Sequence, residues 1–171
     1  MNNVISLVNS SQPEISEHDN WHLVDAIENS EAILPKSMLV IPFKEWLESP
    51  ETYTTDPKAF WLDNETDVHL VEPWLDKIEL IALNFPKFTD GRAYTQAVEL
   101  RTQLRWRGEL RAFGDVLRDQ LTHMHRCGFN SFAVREDKDI LDAMKGLNGI
   151  STRYSGSAIE PEPLFRRRSV I

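Results

Sequence analysis

A chain of 171 residues is long enough to bury a core and short enough to form one domain. Its 41% hydrophobic and 27% charged residues exclude a disordered or a fibrous protein, and a formal charge of -8 argues against a protein built to hold nucleic acid. The single cysteine, Cys127, excludes an internal disulfide, a zinc ribbon, a cluster held by cysteines of this chain and a CxxC redox pair.

The opening stretch, MNNVISLVNSSQPEISEHDNW, has neither the basic start nor the continuous apolar run of a secretory signal. No run of about 18 apolar residues occurs elsewhere, so a cytoplasmic protein without membrane contact is expected. Residues 1–20 are polar, rich in Asn and Ser and broken by Pro13, and they read as a mobile leader with little apolar surface to offset the entropy of ordering. Residues 21–57 read as an arm packing on the core. In it, Trp21 to Asn29 suits a short helix, Ser37 to Pro42 suits a strand or an extended packing segment, and Lys44 to Leu47 is helical. Ser49-Pro50 and Asp56-Pro57 then punctuate a loop, because the residue before a proline is pushed toward extended geometry.

From residue 58 to 156 short apolar runs alternate with helix-period segments, the pattern of repeated βα units around a parallel sheet. Ala59 to Leu62 reads as a strand ending at Asp63 and Asn64, followed by a helix over Val68 to Leu75 that Pro73 limits or kinks. Glu79 to Phe85 is the clearest strand, apolar enough for burial on both faces. The next helix places Ala93, Ala97, Leu100 and Leu104 on one face, with Thr89 or Asp90 as its cap. Leu110 to Gly114 is a strand, and Asp115 is expected to cap a helix that Gly128 ends in a left-handed conformation. Phe129 to Arg135, Lys138 to Leu147 and Ile150 to Tyr154 read as strand, helix and strand, and residues 157–171 as an extended tail. About five strands and four helices of this kind make an α/β fold, either an incomplete (β/α) barrel or a doubly wound sheet, with the half-barrel preferred for want of a Gly-rich turn after the first strand.

In either architecture the loops at the carboxyl ends of the strands gather on one edge, and this chain loads that edge. Lys87, Asp90, Arg92 and Tyr94 follow one strand, Asp115, Arg118 and Asp119 the next, and Arg135 a third. Guanidinium groups and helix N-terminal amides aimed into one cavity can hold an anion. The same residues have plainer uses: Asp90 and Asp115 stand where helix caps stand, and Arg118 and Asp119 can pair with neighbouring loops. His123 and His125, two apart on a helix, are poorly spaced for a metal, and Cys127 reads as a small packed residue. The Arg-rich segment from Arg101 to Arg111 reads as a solvated basic face. Charge is uneven along the chain: residues 1–80 carry 4 Lys or Arg against 16 Asp or Glu, and residues 81–171 carry 15 against 11.

Over residues 58–154 the sequence resembles the bacterial family called domain of unknown function 934. The likeness is carried by FPKFTDGR (85–92), by GDVLRDQ (114–120) and by Arg126-Cys127-Gly128-Phe129. Asn84, where an acidic residue is common, and Ala93, where glycine is common, are small departures. The resemblance implies an accessory role in assimilatory sulfite reduction, since members are often labelled oxidoreductases and their genes neighbour that of the sulfite reductase hemoprotein. Two classes of function follow. One is an interaction protein docking on the hemoprotein, or between it and an acidic electron donor such as ferredoxin, through the carboxyl-edge loops and the Arg166-Arg167-Arg168 tail. The other is an enzyme acting on a small anion held by Lys87, Arg92 and Arg118, with Asp90, Asp115 or Asp119 moving protons. The first is preferred because neither a flavin nor a nicotinamide fingerprint nor a set of cluster ligands is present, and no cofactor is expected.

Overall fold

The computed structural model describes residues 3–8, 12–17, 19–24, 38–50, 56–148 and 153–167. Eight strands form a single sheet: β1 (Val4–Val8), β2 (Gln12–Ile15), β3 (His22–Leu23), β4 (Leu39–Pro42), β5 (Ala59–Leu62), β6 (Leu80–Phe85), β7 (Glu109–Gly114) and β8 (Ser131–Ala133). The strands lie in the order β2-β1-β8-β7-β6-β5-β4-β3. From β3 to β8 every neighbouring pair is parallel and consecutive in the chain, so the order never reverses as it must in a doubly wound sheet. The remaining two strands are antiparallel: β1 on β8 and β2 on β1.

The sheet curls, and its connectivity says why. On a flat sheet β2 and β3 would stand seven strand spacings apart, about 33 Å. The chain from Ile15 to His22 reaches at most ~25 Å fully extended. Bringing the two edges within reach rolls the sheet into a half-barrel, and residues 19–24 close over its concave side. There Trp21 and Leu23 pack on Val40, Ala59, Leu80 and Ala82 beside Trp61 and Phe113, and the Trp61 indole Nε1 donates to the carbonyl of Val24 at 2.8 Å.

The convex face carries the larger core. Strand side chains alternate between faces, so Phe60, Leu62, Ile81, Leu83, Phe85, Leu110, Ala112 and Phe132 all point outward, where the helices cover them. These are α1 (Phe43–Glu48), α2 (Arg92–Thr102), α3 (Leu121–Cys127) and α4 (Ile140–Met144). Helix α2 buries the face that its spacing predicts, Ala93, Ala97 and Leu100, and Gly128 ends α3 at φ 114°. Among the described residues no helix is long and apolar enough to cross a membrane.

Several expectations are corrected. Residues read as a leader instead carry β1 and β2: Ile5, fully buried, and Leu7 alternate onto the helix-covered core, an alternation masked by the polar composition around it. Trp21 to Val24 is extended rather than helical, and residues 25–37 lie outside the described residues. Val68–Trp74 is a 3-10 helix capped by Asp67, and Pro73, which has no N–H to donate, prevents a regular α-helix there. Strand β8 is shorter than the reading over Phe129 to Arg135. Arg153 and Tyr154 do not continue a strand, residues 149–152 being outside the described set, and Leu164–Arg167 forms a turn of helix, α5, within the stretch read as an extended tail.

Candidate functional site

The carboxyl ends of β5 to β8 place the predicted residues on one edge, as the topology requires. After β5, the Asp63 carboxylate accepts from the backbone N–H of Glu65 at 2.9 Å and the Thr66 hydroxyl at 2.8 Å, forming a tight turn. Gln96 of α2 donates from Nε2 to the carbonyls of Asp63 and Thr66, both at 2.8 Å, and ties that turn to the helix. After β6, Asp90 takes Asn64 Nδ2 at 2.6 Å, Arg92 Nη2 at 2.7 Å and Arg92 Nε at 3.1 Å. It also accepts from the backbone N–H of Arg92 at 3.2 Å, so the carboxylate stands one residue outside the helix end and orders both the turn and the arginine. The other arm of Arg92, Nη1, reaches Glu65 at 3.0 Å.

Strand β7 ends at Gly114, whose φ of 96° suits glycine and whose Cβ, if it had one, would lie 2.5 Å from the carbonyl of Phe85. That close approach turns Asp115 toward the preceding loop. Its carboxylate accepts from the backbone N–H of Phe88 and from Arg135 Nη1, each at 2.9 Å, and does not cap the following helix. A 3-10 turn at Arg118–Gln120 leads into α3 instead. Arg135 also binds Asp137, at 2.9 and 3.0 Å. Arg118 donates to both carboxylate oxygens of Asp142 at 3.0 Å, across a shallow cleft of about 270 Å³.

The predicted cluster is therefore present but divided. Arg92, Arg118 and Arg135 each spend donors on carboxylates, and Glu65, Asp137 and Asp142, absent from the sequence reading, supply the missing partners. Tyr94 leaves the edge altogether: its ring packs against Phe85 at 5.1 Å and His123 at 4.7 Å, and burial raises its phenol pKa. Lys87 and Asp119 remain exposed.

This arrangement constrains the chemistry. Hydrogen bonds from Arg92 hold the Asp90 carboxyl down at about 2, and the Phe88 N–H followed by Arg135 lowers that of Asp115. A general base works best near the operating pH, and neither group is near it. The thiol of Cys127 lies 3.8 Å from His123 Nε2, yet burial raises its pKa, which opposes the thiolate a nucleophile needs. Because the folded pKa of Asp90 is depressed, its pairing favours the folded state above the ordinary carboxylate value of 3.8 and is lost as pH falls through the folded value. A carbon-detected NMR titration is expected to place the Asp90 midpoint near 2 and return it toward 3.8 in Arg92→Gln. An unshifted midpoint in the wild type contradicts the geometry.

A family model described as a bacterial protein of unknown function, DUF934, matches residues 59–165. No curated protein and no solved structure matches the chain.

Proposed function

The chain belongs to the domain of unknown function 934 family, and we propose that it is an accessory protein of assimilatory sulfite reduction, docking with the sulfite reductase hemoprotein to support electron delivery. The pathway comes from the family resemblance. The docking half rests on Phe88, which is 56% exposed although its loop is held rigidly. Its N–H is bonded to Asp115 and its carbonyl to Gln120 Nε2 at 3.0 Å, while Asp90 N–H closes the turn onto the Lys87 carbonyl at 2.9 Å. A large apolar side chain presented on a pre-ordered loop beside a lysine loses little freedom on binding, which is how an interface anchor works. Leu70 and Leu141, also exposed, lie in the segments that follow β5 and β8.

A small-anion enzyme at these loops has less support. The guanidinium groups that would bind the anion are bonded to carboxylates, and the carboxyls of Asp90 and Asp115 are held below the ordinary carboxylate range. In the tail, Arg167 pairs with Glu160 at 3.0 Å and Arg166 lies 5.7 Å over the Phe165 ring.

The test is sulfite reductase activity in extracts of a strain lacking this gene, with and without added purified protein. Activity lost with the physiological donor and retained with reduced methyl viologen supports electron delivery. Activity lost with both points to assembly of the hemoprotein, and activity lost with neither ends the link to sulfite reduction. In a direct binding assay, Phe88→Ala is expected to weaken the complex about 30-fold, the loss of an anchor worth ~2 kcal/mol, without moving the melting temperature. Binding that is unchanged places the interface elsewhere.

A further inference from the structure

A cavity of about 690 Å³ lies on the opposite edge, at the amino ends of β7 and β8. One side is the end of α2 with the loop that follows, bearing Arg101, Arg105 and Arg107. The other is the segment Ala158–Pro161, which is held in place by Arg126: the Ala158 N–H donates to the Arg126 carbonyl at 3.0 Å, and Arg126 Nη2 donates to Ser155 Oγ at 2.8 Å and the Gly156 carbonyl at 3.1 Å.

The arginines here differ from those at the carboxyl edge. Arg101 donates only to backbone carbonyls, of Gly128 and Trp106 at 2.9 Å and of Gly108 at 3.0 Å, and stacks 5.3 Å over the Trp106 ring. Gly128 is required for this pose, because a Cβ there would collide with Arg101 Cγ. Among the described residues neither Arg105 nor Arg107 has a carboxylate partner, and Arg105 is held at a φ of 54°, unusual for a side-chain-bearing residue. Glu160, in the facing segment, is engaged by Arg167 at 3.0 Å. Among the described residues that line this concavity are three arginines and no carboxylate. Three like charges on one wall favour an anion between them, and burial, followed by Arg107, lowers the Arg101 pKa to about 10.

We infer that this groove binds a small phosphate ester or phosphoanhydride, its charged oxygens between Arg101, Arg105 and Arg107 and its body against the exposed side chain of Ile159. The volume fits a metabolite-sized ligand, within the ~300–1,000 Å³ of ordinary small-molecule sites. The enclosed shape of the groove and the net charge of -8 favour a compact multiply charged anion over a nucleic-acid strand. This site does not depend on the docking reading and shares none of its residues.

The experiment is calorimetric titration of the full chain with inorganic pyrophosphate at low salt. Saturable 1:1 binding is expected, weakened at least about tenfold by Arg105→Gln and by Arg107→Gln and unchanged by Arg118→Gln, whose arginine is already paired. Both groove variants alter exposed side chains, and unchanged melting curves will show that they fold. Absence of saturation, binding unaffected by the groove variants, or equal weakening by Arg118→Gln overturns the proposal. So does binding, at this groove alone, of an acidic protein in place of pyrophosphate.

Discussion

Arg111→Met is expected to destabilise the protein by about 3–5 kcal/mol, the loss associated with breaking one side of a buried ion pair. Arg111 projects from β7 onto the concave face, where its side chain is 2% exposed. Its Nη1 and Nη2 bind the two oxygens of Asp19 at 2.8 Å each, Nη2 binds Glu109 at 2.7 Å, and Nε binds the Ser131 hydroxyl at 3.0 Å. The Asp19 side chain is 4% exposed and belongs to the segment that closes the half-barrel, so the fork fastens that segment to the middle of the sheet. Removing the arginine takes its two hydrogen bonds from the Asp19 carboxylate and sets an apolar side chain against it. Burial pushes the Asp19 carboxyl up, but interactions led by the Arg111 hydrogen bonds and charge hold the group below its ordinary 3.8. The pair therefore stabilises the fold above that value, and its contribution is lost as pH falls through the depressed one. Urea denaturation measures both effects. A midpoint that does not fall in Arg111→Met, or a wild-type stability that stays level from neutral pH down into the acid range below 3.8, contradicts the role assigned to this pair.

Phe60→Ala is expected to lose a similar ~3–5 kcal/mol for a different reason, the cavity left by a buried aromatic ring. Phe60 is fully buried on the convex face of β5, with Phe43 edge-on at 5.1 Å, Trp46 at 5.9 Å and Trp74 at 6.5 Å. These partners come from α1 and the 3-10 helix, so the ring joins residues 38–50 to the rest of the sheet. Phe60→Leu retains part of the volume and is expected to fall between the two. In urea the midpoint should drop with an unchanged slope, and a near-neutral Phe60→Ala would mean that α1 is not packed as described.

Both residues bear on what was legible in the chain itself. The strand over Leu80–Phe85, the buried face of α2, the short helix α1 and the glycine stop at Gly128 follow from local rules: side-chain period, the missing Cβ, the placement of proline. The consecutive βα units also carried the half-barrel and the gathering of Lys87, Asp90, Arg92, Asp115, Arg118 and Arg135 on one edge. In contrast, β1 is a strand because β8, about 130 residues away, offers it an edge; Val4 stands opposite Ala133 and Ile5 opposite Phe132. Nothing within a short window around Val4 records that partner. Asp115 has the residue type and position of a cap, yet Gly114 turns it toward Phe88 instead.

What the sequence determined by itself is the succession of strands and helical segments from β5 to α4, their order, and the edge on which the charged loops meet, because each depends on neighbours a few residues apart. Tertiary structure decided which charges are neutralised. Sheet register sets Glu65 against Arg92, Asp142 against Arg118 and Asp19 against Arg111, while Arg101, Arg105 and Arg107 are left to line a groove at the other edge. A count of charges is the same for a paired and an unpaired arginine. Only distances of about 3 Å between side chains far apart in the chain distinguish them.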